Sequence, residues 1–69
     1  MKTNLLRAKM ALANDTNNKL AECLDITVQS VIGKIKGHQD FKASEIAIIK
    51  NRYNLSLNEV NEIFFEGEN

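Results

Sequence analysis

Cys23 and His38 are the chain's one cysteine and one histidine. A catalytic thiol needs a base within hydrogen-bond reach, and a structural zinc site needs a set of nitrogen and sulfur ligands. No spacing pairs these two residues. Neither an enzyme nor a metal or cofactor protein is therefore expected, and one cysteine forms no internal disulfide. The C-terminal Glu59, Glu62, Glu66 and Glu68 suggest a solvated face rather than an acid–base pair. Gly33, Gly37 and Gly67 make no phosphate-cradling loop. What remains is a run of hydroxyl, amide and ammonium groups: Thr27, Gln29, Ser30, Lys34, Lys36 and, just beyond, His38. Such groups suit nucleic acid. Glutamine can pair bidentately with adenine N6 and N7, and lysine can reach guanine O6 and N7 or a phosphate.

These groups need elements to hold them. The chain has 69 residues, enough for one domain over 1–69, and no proline to interrupt helices. Apolar periodicity predicts five short helices in an all-α bundle. The first runs from Thr3 to about Ala13, with a stripe of Leu5, Leu6, the Lys9 stem, Met10 and Ala13. Asn14 and Asp15 break it. Thr16 is the expected N-cap of a second helix, Asn17 to Leu24, and Thr27 that of a third, Val28 to Lys36, stopped by Gly37. Phe41 is expected to plug the core. A fourth helix opens at Ala43 or Ser44 and ends near Tyr53, with Asn54 in the left-handed position. Ser56 and Glu59 form a capping box for a fifth, through about Phe65.

The third helix has two distinct sides. With Val31 inward, Val28 and Ile35 fall within about 60° of it at 100° per residue. Gln29, Gly33 and Lys36 fall on the far side. Ser30 and Lys34 lie on one flank and Ile32 on the other. Net charge is zero, yet it is unevenly spread. All nine Lys and Arg lie within 1–53 against five acids, a balance of +4, and 54–69 carries four glutamates alone. A basic body with an acidic tail (about 66–69) fits a polyanionic partner. Longest apolar runs fall far short of a membrane span, the N-terminus has no signal-peptide pattern, and cytoplasmic localisation is expected.

The run TNNKLAECLDITVQSVIGKIKG, Thr16 to Gly37, resembles the phage Cro/repressor type of helix-turn-helix domain, the xenobiotic-response-element family. FKASEIAIIKNRYNLSLNEVNEIFF resembles that family's last two helices, and the similarity spans about Leu5 to Phe65. The chain resembles small regulators of temperate phages and prophages. Asp25 stands where the family commonly has glycine, and Gly33 where it often has a base-reading side chain.

The resemblance implies a compact five-helix, lambda-repressor-like bundle and a function. That function is sequence-specific binding of operator-like double-stranded DNA to regulate transcription. By position, Asn17 bonds a phosphate at a helix N-terminus. Thr27, Val28 and Gln29 face base edges or backbone, and Ser30 flanks them. Gly33 permits close approach, and Lys34, Lys36 and His38 lie near phosphates. The rival expectation is an anti-repressor or interaction module that binds another phage regulator; a domain cut from a larger regulator is another. Phe64 continues the Val60 and Ile63 stripe. Phe65 is left either to pack back on the first helix or to join Phe64 in a weak homodimer contact.

Overall fold

The computed structural model describes residues 3–65. Five helices follow one another: α1 Thr3–Leu12, α2 Asn17–Leu24, α3 Val28–Lys36, α4 Ala43–Tyr53 and α5 Leu57–Val60, with α5 running on into a π-helical turn, Asn61–Phe65. There is no strand among the described residues.

Local chemistry sets most boundaries. Thr16 Oγ1 accepts the Lys19 N–H at 3.2 Å, and Thr27 Oγ1 accepts the Ser30 N–H at 3.1 Å. Ser56 and Glu59 form the reciprocal box: Ser56 Oγ accepts Glu59 N–H, and Glu59 Oε1 accepts Ser56 N–H. Glu45 supplies a similar bond to α4 by accepting the Lys42 N–H at 2.8 Å. Helix ends use left-handed residues: Asn14 at φ 57°, Asp25 at 57°, Asn54 at 53° and Gly37 at 90°. Asn and Asp tolerate this region because their short side chains hydrogen-bond locally.

Leu6, Leu20, Val31, Ile49 and Ile63 are the largest fully buried side chains, one from each of α1 to α4 and one from the final turn. Burial of each such side chain contributes about 1.5–3 kcal/mol. No single helix could bury its stripe alone, so the core forms only when all five segments meet. Phe41 fills the gap between α3 and α4, 7% exposed, with its ring edge-on to Phe64 at 5.5 Å. α1 ends one residue earlier than its stripe predicts. Ala13 is exposed because the chain has already turned at Asn14.

Three ion pairs join segments distant in sequence. Asp15, between α1 and α2, takes both Arg52 Nε at 2.6 Å and Arg52 Nη2 at 2.8 Å, plus the Tyr53 hydroxyl at 2.7 Å. The Arg52 and Tyr53 hydrogen bonds hold the Asp15 carboxyl down at about 2. Lys9 meets Glu59 at 2.6 Å, a half-exposed contact between α1 and α5. The third, Lys34 to Glu45, bears directly on α3.

Candidate functional site

The α2–α3 pair is joined by Asp25, Ile26 and Thr27. The sharp reversal needs a left-handed residue, and Asp25 provides it at φ 57° and ψ 45°. Its N–H reaches Glu22 O, and the Ile26 N–H reaches Ala21 O at 3.1 Å, which closes the helix end. Ala21 is buried, and its small side chain leaves room for α3 to cross. Leu20, Leu24, Val31 and Ile35 lie in the core, with Ile26 and Val28 packed against it. These contacts fix which side of α3 meets solvent.

On that outward side Gln29 and Lys36 are exposed, as are Asn17 at the start of α2 and His38 just beyond α3. No carboxylate occurs between Thr27 and Gln39. Thr27 is exposed and Ser30 half-buried, but their hydroxyls engage each other at 3.0 Å while Thr27 caps the helix. Their first role is therefore to build the N-terminus of α3. Val28 is half-buried against the core, so only part of it faces outward. Gly33 is half-buried and in helical conformation. The Gln39 amide nitrogen lies 3.7 Å from where a Cβ would stand.

Lys34 departs from the expectation of a phosphate contact. It is 5% exposed. Its ammonium donates to Glu45 Oε1 at 2.8 Å and to the Asp40 carbonyl at 3.2 Å, and lies 5.8 Å from the Phe41 ring centre. A lysine enclosed by a carboxylate, a carbonyl and an aromatic ring is spent inside the fold. Burial pushes the Glu45 carboxyl up, but the Lys34 and Lys42 hydrogen bonds outweigh it, and its pKa lies below the ordinary value. The physical reason for the departure is azimuth. Lys34 sits about 60° from Val31, the same offset as Val28.

Two residues absent from the sequence expectation border this face. Gln39 covers Gly33, and Arg7 of α1 shares a cleft with Lys36. The pattern offered no signal for either, because both depend on where α1 and the α3–α4 loop pack. At the far end of the chain Phe64 is half-buried on Phe41, while Phe65 is 65% exposed and so does not return to α1 as core. The acidic tail with Glu66 and Glu68 lies outside the described residues. Cys23 is half-buried rather than enclosed. No cluster of three metal-ligating side chains occurs among the described residues, nor does any helix long and apolar enough to cross a membrane.

The chain matches no protein-family model, no curated protein and no solved structure.

Proposed function

We propose that the chain is a helix-turn-helix regulator of transcription that lays α3 in the major groove of an operator-like duplex. One observation carries the reading. The exposed face of α3 offers an amide, an ammonium and a glycine with no carboxylate, on a helix held outward by a three-residue turn. Gln29 meets a base edge, and Lys36, His38 and Asn17 meet phosphates. Most hydrogen bonds at such interfaces position the protein, and few specify sequence. Control comes from occupying DNA in the cytoplasm and excluding other proteins. One small helix reads few base pairs, so useful specificity requires two copies on half-sites about 34–36 Å apart. Exposed Phe65, beside Phe64, is the apolar group that a weak dimer formed on DNA would use.

A second reading, an interaction module that binds another regulator, is favoured by the loss of Lys34 from the surface. That burial leaves Lys36 as the one lysine exposed on α3. Selection from a pool of randomised duplexes at low salt separates the two. Enrichment of a two-fold related site, bound about 10³-fold or more tighter than random duplex, is the expected result. Failure to retain any duplex at about 50 mM salt, where phosphate contacts are strongest, overturns the DNA reading.

A further inference from the structure

We infer that the cleft between α1 and the C-terminal end of α3, framed by Arg7 and Lys36, seats one backbone phosphate of the duplex that α3 reads, which adds α1 to the DNA footprint. The inference rests on the DNA-binding reading. Thr3, Arg7, Lys36, Gly37, Gln39 and Asp40 line the cleft together with the apolar Ile35, and its volume is about 450 Å³. At about 30 Å³ per water that is space for a phosphodiester together with its hydration. Arg7 and Lys36 come from different helices and are both exposed. Neither takes part in an ion pair among the described residues, in contrast to Lys9, Lys34 and Arg52. Two cations converging on one polar recess, with no carboxylate spent on them, leave positive charge that an anion can neutralise. Arginine matches phosphate oxygens in a planar fork, and lysine adds a point charge.

Placement along α3 suits this role. Gln29 and Lys36 are seven residues apart, so they differ by about 20° in azimuth and about 10 Å along the axis. The major groove is about 12 Å wide. With Gln29 over the bases, Lys36 and the adjoining cleft therefore reach the phosphate ridge that bounds the groove. Gly37 at φ 90° ends the helix directly after Lys36. Two influences oppose the anion: the partial negative charge of the α3 C-terminus and the nearby Asp40. Arg7 is what tips this balance, because Lys36 alone faces both.

Fluorescence anisotropy of a labelled duplex, titrated across about 50–200 mM salt, tests the seat with Arg7→Ala, Lys36→Ala, the double variant and Asp40→Asn. Loss of one phosphate contact lowers the salt slope by about 0.9, so the affinity lost over that range shrinks by about 3.5-fold. Each single variant is expected to show that change. The double variant should lose less than the two singles combined, because both serve one phosphate, and Asp40→Asn should tighten binding. Unchanged urea midpoints for the two exposed positions would confirm that folding is not the cause. Parent-like affinity and slope in Arg7→Ala, while the parent binds duplex, overturn the seat and leave the DNA reading standing. No binding by the parent at the lowest salt overturns both.

Discussion

Lys34 and Lys36 stand two positions apart on one helix and meet opposite fates. On the flank that packs toward α4, the Lys34 ammonium is closed in by Glu45, the Asp40 carbonyl and Phe41. On the outward side, Lys36, Gln29 and His38 are exposed with no carboxylate among them. The inner flank uses charge to join α3 to α4. The outer face leaves its polar capacity unspent. Elsewhere on the surface Lys9 meets Glu59 at 2.6 Å, so that lysine, unlike Lys36, has a carboxylate partner. The difference teaches that on this helix, position relative to the core decides what a lysine does, whatever its residue type suggests.

The largest effect should come from the inner flank. Removing one partner of a buried ion pair leaves the other charge uncompensated, at a cost of about 3–5 kcal/mol. Glu45→Gln and Lys34→Ala should each lower the urea midpoint by an amount of that order. The double change Lys34→Met with Glu45→Leu should recover much of it, since apolar replacement of both partners is often neutral. Any DNA affinity that survives in folded Lys34→Ala should keep the parent's salt slope. A reduced slope would break the comparison by returning Lys34 to the phosphate-contacting set.

The Asp15 clamp is next in size and ties α4 to the opposite end of the bundle. The Arg52 and Tyr53 hydrogen bonds hold its carboxyl down at about 2, below the ordinary aspartate range. A depressed folded pKa stabilises the fold above the unfolded pKa, and that stability is lost as pH falls from about 4 toward 2. Glu45 and Glu59 are also lowered, so they act with the same sign. Asp15→Asn should cost about 1.5–3 kcal/mol at neutral pH, the usual worth of hydrogen bonds to a charged group. It should also flatten the fall in urea midpoint between pH 4 and 2. A parent midpoint that does not change across that interval would show the clamp to be idle.

Gln29→Ala probes the outer face. The expected loss is about 1–3 kcal/mol on the best duplex, with random duplex and the urea midpoint unaffected. An equal loss on both duplexes would move Gln29 from base reading to backbone contact.

Much of the fold was legible because its determinants are local. Thr16, Thr27, Ser56 with Glu59, Asp25, Gly37 and Asn54 each act within about one turn of a helix end, and each does what its residue type predicts. Apolar spacing likewise identified Leu6, Val31 and Ile63 as core, and Phe41, the large apolar residue of its loop, fills the core as expected. The long-range polar contacts were not legible. Asp15 reaches Arg52 across 37 positions, and no periodicity records that. Lys34 was half legible. It lies as close to the Val31 direction as Val28 does, on the opposite side, but its charge argued for the surface, and a partner eleven positions on made burial affordable. Arg7 and Gln39 join the candidate face only through the packing of α1 and the α3–α4 loop, which lies beyond any pattern within α3.

Gly33 gives the smallest effect and the sharpest test of why the outer face looks as it does. It lies mid-helix, where glycine is destabilising by about 0.5–1 kcal/mol relative to alanine. Positive φ does not require it, since Gly37 is the glycine in that region among the described residues. Packing does not require it either, because an added Cβ would meet the Gln39 amide at an ordinary 3.7 Å. The fold thus carries a cost at this position with no internal return. It lies within about 40° of Gln29 on the helix, on the side offered to a partner. If that partner is the floor or wall of a DNA groove, a bare backbone there permits the approach. Gly33→Ala should therefore raise the urea midpoint by about 0.5–1 kcal/mol in stability while weakening duplex binding. Gain in stability with unchanged affinity would mean that the outer face is simply unoccupied surface, and the contrast with the inner flank would lose its functional meaning.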